Sequence, residues 1–256
     1  MDFNDRVAVV TGGARNIGLA TVEAFLSRNA RVVLVDRDDE TANAAVTALG
    51  VSGERLIGIG ADVSSEESVK ALMEKVAVTF GSVGFLVNNA GICTLNLAVD
   101  LSVEEWDRVL AVNLRGPWLC VKHAFPLMAE GSSVVNIASQ AAQRAQRFTA
   151  HYSASKMGII GLTRALAMEL APKVRVNAVS PGTVYTNMIE HEINWRIDRG
   201  FDHDGDAVKK DWLDRIPMKR FQSPDAIARA ILFLCSDDAS ETTGETLNVS
   251  GGAVMV

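Results

Sequence analysis

The sequence holds little cysteine, and that little is badly placed for cross-linking. Cys93, Cys120 and Cys235 are odd in number and widely spaced over 256 residues. They offer neither a disulfide framework nor a CxxC metal pair, and fit reduced thiols in a cytosolic protein. Basic blocks are absent too. The 31 acidic and 25 basic residues give a net charge of −6, which argues against a dedicated nucleic-acid surface. No apolar run reaches the roughly 18–20 residues of a membrane span. The opening MDFNDRVAVVTGG is charged at once and has no signal-type apolar stretch, so a cytoplasmic location is expected. Internal repeats, low-complexity segments and interdomain linkers are also missing. What is present is an ordinary globular balance of 48% hydrophobic and 22% charged residues, enough to bury a core without staples.

Short β-branched runs alternate with helical patterns from the start. Strands are predicted at 6–11, 31–36, 56–61, 85–88, 133–138, 174–180 and 246–249. Helices are predicted at 17–28, 38–49, 64–80, a long one at 102–128, 152–170 and 223–234. The first strand, RVAVVT, is almost continuously apolar, as expected where helices cover both faces of a sheet. This alternation implies an α/β fold with a parallel sheet wound on both sides, in one domain over 1–256. Residues 187–215 break the rhythm with a helical pair carrying Trp195 and Trp212, and Phe201 between. Two readings stand: a cap on the sheet, or a lid over a substrate. An EF-hand loop beginning at Asp202 would need Glu at its twelfth position, which is Leu213, so no metal is expected.

Between the first strand and first helix lies Thr11-Gly12-Gly13-Ala14-Arg15-Asn16-Ile17-Gly18. Glycines there allow a tight turn and close approach of a pyrophosphate to a helix N-terminus. Asp36 ends the next strand, 18 residues after Gly18. A carboxylate at that place accepts hydrogen bonds from both adenosine ribose hydroxyls and repels a 2′-phosphate. Arg15 and Arg37 are suited to neutralising such a phosphate, but Asp36 tips the expectation to NAD over NADP.

Tyr152 and Lys156 stand four residues apart, on one helix face. Free tyrosine is too weakly acidic for proton transfer at neutral pH, and a neighbouring ammonium favours its phenolate. Ser139 follows the strand 133–138, and Asn88-Asn89-Ala90-Gly91 ends another, both at the edge where open α/β sheets place ligands. Asn113 extends the helical face of Trp106, Val109 and Leu110. Pro117 offers no N–H to its carbonyl, which leaves that carbonyl to hold a water linking Lys156 to solvent. The other reading is a buried amide that bonds helix backbone at a proline kink.

Taken together, TGGARNIG at 11–18, Asp62-Val63, NNAG at 88–91, Asn113, Ser139, YSASK at 152–156, Asn177 and PGTVYT at 181–186 resemble the short-chain dehydrogenase/reductase family over residues 5–251. The resemblance implies a single Rossmann-type domain with seven parallel strands, usually tetrameric, and a catalytic tetrad of Asn113, Ser139, Tyr152 and Lys156. It places Asp62 and Val63 at the adenine and Asn89 along the cofactor. Val184 and Thr186 fall at the carboxamide and phosphate region of the nicotinamide. Ala90, Gly91, Pro181 and Gly182, with Tyr152 and Lys156, complete the expected cofactor set of Gly12, Arg15, Asn16, Ile17, Gly18, Asp36 and Arg37. Two positions depart from the family pattern. Asn16 replaces the middle glycine of the turn, and Ser250 replaces an acidic residue before Gly251-Gly252.

The segment from Ser139 to Tyr152 reads Gln140, Gln143, Arg144, Gln146, Arg147 and His151 among small residues. Its amide and guanidinium donors suit a polyol, sugar or small hydroxy acid better than a steroid or acyl chain. Ser139, Gln140, Arg147, His151, Tyr152 and Trp195 are the expected substrate contacts. The alternatives are a 3-oxoacyl-thioester reductase using NADP(H) and a non-catalytic NAD-binding regulator. The tetrad disfavours the regulator.

Overall fold

The computed structural model describes residues 2–51, 53–144 and 146–255, apart from the side chain of Asn187. The strands are β1 (Val7–Thr11), β2 (Arg31–Asp36), β3 (Leu56–Gly60), β4 (Phe85–Asn88), β5 (Ser132–Ile137), β6 (Val174–Pro181) and β7 (Thr246–Val249). They form one seven-stranded sheet in the order β3-β2-β1-β4-β5-β6-β7, every pairing parallel. The helices are α1 (Asn16–Leu26), α2 (Asp39–Leu49), α3 (Glu66–Phe80), α4 (Val103–Leu110), α5 (Gly116–Ala124), α6 (Ala150–Leu170), α7 (Asn187–Asp198), α8 (Gly205–Asp214) and α9 (Pro224–Cys235).

Both sheet faces are covered, which explains the nearly continuous apolar run of β1. All five residues of β1 are buried, and alternate residues feed opposite cores. Val7 and Val9 join Leu72, Met73, Leu119 and Leu166 on one side. Ala8 and Val10 join Phe25, Phe85, Ile227 and Ile231 on the other, where Phe3 packs edge-on against Phe85 at 4.8 Å. Local chemistry sets the helix limits. Asp38, Ser65 and Ser223 cap the first turns of α2, α3 and α9 through Thr41, Ser68 and Ala226 N–H groups, satisfying donors that the helix leaves free. Gly50 and Gly81 close α2 and α3 at positive φ.

The strand order reverses between β1 and β4, so a crevice opens at their carboxyl ends, where such sheets bind ligands. The helix expected over 102–128 is present without a gap from 103 to 127, but it is not uniformly α-helical. After α4 the chain makes a π-helical segment, Ala111–Arg115, then α5, then a 3-10 turn, Phe125–Leu127. The Gly116 N–H reaches back five residues to the Ala111 carbonyl. Pro117, which cannot donate, stands at the start of α5, so the π-helical bulge has an identifiable cause.

Candidate active site

The turn after β1 is built by close backbone approach. Gly12 has φ +63°, and a Cβ there would come within 2.9 Å of the Ala90 Cα. A Cβ on Gly18 would run into the Gly12 carbonyl. Asn16 takes φ +50°, a conformation that Asn tolerates better than most residues, so the turn survives without the usual glycine. Asn89 fastens it, donating through Nδ2 to the Thr11 and Gly12 carbonyls at 3.0 and 2.9 Å. The Thr11 hydroxyl in turn accepts from the N–H groups of Asn89 and Ala90, both at 3.1 Å. At the end of β2, Asp36 accepts from the Ala14 and Arg37 N–H groups at 3.1 and 2.9 Å. Asp62 accepts from the N–H and hydroxyl of Ser64.

Most of these groups line one cavity of about 880 Å³ that continues to Ser139, Tyr152 and Lys156. Gly12, Arg15, Asn16, Ile17, Asp36, Arg37, Asp62, Val63, Asn89, Ala90, Gly91, Pro181, Gly182, Val184 and Thr186 all border it. Gly18 does not; it sits behind the turn and lets it pack, which is the part the third glycine of such turns plays. A Gly-rich cradle that a Cβ would fill, with a carboxylate at the end of β2, fits a dinucleotide.

Tyr152 and Lys156 project from α6 into the same cavity, with Nζ 5.7 Å from the phenol ring centre. Lys156 is 4% exposed and donates to the Ile137 carbonyl at 2.7 Å. Burial pushes its ammonium down to about 8. Burial pushes the Tyr152 phenol up, and Cys93 and Glu192 add to this; a hydrogen bond with Ser139 pulls it back down. Ser139 thus favours the phenolate, the form that proton exchange requires. Ser139 itself accepts from the Ala141 N–H at 3.1 Å.

Asn113, 1% exposed, lies in the π-helical segment. Its Oδ1 accepts from the Ile92 N–H at 2.8 Å, and its Nδ2 donates to the Ile92 carbonyl at 2.9 Å and the Ser155 hydroxyl at 3.1 Å. The amide thus bonds the loop after β4, not helix backbone. Ser155 donates to the Tyr152 carbonyl at 2.7 Å, so Asn113 and Tyr152 belong to one buried network.

The expected substrate wall needs two corrections. His151 is fully buried, with Nε2 2.6 Å from the Thr94 hydroxyl and 3.9 Å from Glu105 on α4. Successive helix residues point about 100° apart, so a Tyr152 that faces the cavity turns its neighbour towards α4. Trp195 also misses the cavity. It packs on Phe148 and Phe201 at 5.1 and 5.7 Å, while Trp212 borders the cavity in its place. Gln140 and Arg147 do line it; Gln140 donates to the Thr183 hydroxyl at 3.0 Å.

Sequence reasoning passed over Cys93, Met188, Ile189, Glu192 and Arg196, which border the cavity as well. The 188, 189, 192, 196 spacing on α7 was the available signal, since it marks one helix face. The acidic loop after α7 has structural work: Asp202 holds Arg196 at 2.7 Å and Asp204 caps α8 through the Asp206 N–H. Ser250 bonds the Val254 N–H at 3.2 Å and its carbonyl at 3.3 Å, pinning the C-terminal turn.

Comparison with known proteins decides the family. A family model described as "Enoyl-(Acyl carrier protein) reductase" matches residues 12–254. D-threitol dehydrogenase of Mycolicibacterium smegmatis is 40% identical over 98% of this chain and 93% of its own length. A crystal structure titled short-chain dehydrogenase/reductase SDR:Glucose/ribitol dehydrogenase, from Brucella melitensis, superposes with TM-score 0.87 at 38% identity over all of both chains. The chain belongs to the short-chain dehydrogenase/reductase family. It is a nicotinamide-cofactor oxidoreductase of the alcohol dehydrogenase/reductase type. The 3-oxoacyl-[acyl-carrier-protein] reductase FabG of Thermotoga maritima, 34% identical over the full length of both, is also similar. Among the described residues, no helix of this short-chain dehydrogenase/reductase is long and apolar enough to cross a membrane.

Proposed function

We propose that this short-chain dehydrogenase/reductase is an NAD-dependent dehydrogenase of a small hydroxylated substrate, a polyol or sugar. The observation that carries the reading is the joint lining of one cavity by Asp36 at one end and Gln140, Gln146, Arg147 and Glu192 at the other. Asp36 disfavours a 2′-phosphate, and the polar wall favours a ligand rich in hydroxyls. The similarity to a D-threitol dehydrogenase supports the same substrate class.

A nicotinamide held in this cavity would supply a hydride acceptor or donor for the carbinol carbon. Tyr152 takes the hydroxyl proton in oxidation and returns it in reduction. Ser139 steadies the substrate oxygen and, through its bond to the phenol, eases ionisation of Tyr152. Lys156 holds the ribose, and the Asn113 carbonyl carries a water that links Lys156 to solvent. The enzyme is expected in the cytoplasm as a homotetramer.

The competing reading is an NADPH-linked 3-oxoacyl-thioester reductase. The FabG similarity and the two arginines Arg15 and Arg37 beside the cavity favour it. One assay separates the two: nicotinamide absorbance followed with NAD or NADP and a panel of polyols, sugars and hydroxy acids, then with the reduced cofactors and ketones including a 3-oxoacyl thioester. Polyol oxidation with NAD is the expected result. Turnover confined to NADPH and the thioester overturns it.

A further inference from the structure

Helix α7 brings a carboxylate to the wall of the catalytic cavity. Glu192 borders the same space as Tyr152, Ser139 and Cys93, and its side chain is 17% exposed. It is not a free surface acid. Arg196, one turn on, approaches its Oε1 at 3.5 Å, and that guanidinium is itself fixed from three sides. Asp202 holds it at 2.7 Å, and the rings of Phe148 and Trp212 lie 5.9 and 5.7 Å away. The Glu192–Arg196–Asp202 chain therefore anchors a carboxylate, with acceptor capacity to spare, in a half-dry pocket at the border of the cavity. Burial pushes the Glu192 carboxyl upward and Arg196 opposes the push, and the same carboxylate is close enough to Tyr152 and Cys93 to raise both.

We propose that Glu192 is a specificity-determining residue that accepts hydrogen bonds from substrate hydroxyls beyond the one oxidised, so that the enzyme selects vicinal diols and polyols over mono-alcohols and acyl thioesters. The argument is one of donors and acceptors. A carboxylate is acceptor-only, with room for about four bonds, and hydrogen bonds to an ionised acceptor are roughly twice as strong as neutral ones. A neighbouring hydroxyl supplies the missing donor. A mono-alcohol offers no donor to the acceptor capacity that Arg196 leaves unused, a penalty that a site built for hydroxyls imposes on analogues lacking them. A 3-oxoacyl thioester does worse, because it sets carbonyl acceptors against an acceptor. This inference rests on the polyol reading above, and it gives that reading a named residue.

The test compares wild type, Glu192→Gln and Glu192→Leu, with NAD dissociation constants measured on each as a check of folding. Substrates are a four-carbon tetritol and 2,3-butanediol, against 2-butanol, with a 3-oxoacyl thioester in the reverse direction. Both variants should raise KM for the tetritol by about tenfold or more, with a smaller change in kcat. The ratio of kcat/KM for diol over mono-alcohol should fall by a similar factor. Glu192→Gln offers an amide donor, so it alone should gain in thioester reduction, a response that a merely structural role would not produce. A wild type that oxidises the tetritol, with variants whose diol preference stays within about threefold of it, overturns the inference and leaves the polyol reading standing. A wild type that reduces the thioester and oxidises no polyol overturns both.

Discussion

The two ends of the catalytic cavity are held in different ways. Asn113, Ser139, Tyr152 and Lys156 are set by the core. α6 buries eight residues, among them Ser155, Lys156, Ile159 and Thr163, and Asn113 is fixed by three hydrogen bonds. Among the described residues, α7 buries Ile193 and α8 buries Val208. Glu192, which borders the cavity from α7, is held by a guanidinium that it shares with Asp202. On the function proposed above, the chemistry rests on elements packed into the core. Selection would rest on a helical pair that buries little of itself. Substitutions in the first region should cost turnover, and those in the second should redistribute substrates.

The sharpest way to test that division is at the phenol. Tyr152→Phe keeps the ring and removes the proton carrier, so kcat should fall by about 10²–10⁴-fold while NAD binding, measured by fluorescence quenching, stays near normal. Turnover close to wild type would show that the proton leaves by another group. At the opposite end of the cavity, Asp36→Ala removes the negative charge proposed to face the adenosine ribose and leaves Arg15 and Arg37 in place. The NADP-to-NAD ratio of kcat/KM should then rise by roughly 100-fold, since like-charge juxtaposition costs several kcal/mol. An unchanged ratio would mean that Asp36 serves only the N–H groups of Ala14 and Arg37.

How far these residues were legible in the sequence follows from how each signal arises. Strands β1 and β2 announce themselves by near-continuous valine-rich runs, because both faces of the sheet are covered there. The TGGARNIG turn, NNAG and YSASK were legible since each needs particular small or titratable residues next to one another. Direction was harder. The helix carrying Tyr152 begins at Ala150, two residues before the expected start at Tyr152, and that places His151 on a helix face turned inward. The 187–215 pair was visible as a break in rhythm, yet its aromatic residues drew notice where Glu192 and Arg196 face the cavity. Aromatics are conspicuous in composition, whereas a buried ion pair becomes meaningful only when the fold shows what it faces. The π-helical segment left only one clue, Pro117, and the hydrogen bonds of Asn113 to Ile92 span 21 residues, beyond any local pattern.

Between the large kinetic effects and the small ones lies the turn itself. Gly18→Ala would press a methyl group into the Gly12 carbonyl and the Asn89 amide, with no flexible side chain able to yield fully. Overpacking of this kind costs about 1–3 kcal/mol, so Tm should fall and NAD affinity weaken together. Loss of affinity with an unchanged Tm would place Gly18 against the cofactor, on the side of the turn where the structure does not put it.

The smallest predicted effect tests the correction at His151. Burial lowers its pKa, and Glu105 at 3.9 Å opposes this more weakly. The folded value therefore lies below the unfolded one, near 6.5. Above that pH both states are neutral and the imidazole adds no pH dependence. As the pH falls through about 6.5 the unfolded chain takes up the proton first, so stability declines towards acid. His151→Leu removes this part of the slope. At pH 8 it should cost only about 1 kcal/mol, through the lost bond to Thr94. Urea unfolding of both proteins at pH 8 and 5.5 measures the two quantities, and the gap between them should narrow at the lower pH. Because His151 faces α4 and not the cavity, the KM for the polyol should stay within about twofold of wild type, well below the tenfold expected on losing a charged contact. A larger rise in KM would return His151 to the substrate wall, and would mean that the part of the chain fixed by the core also takes part in selection.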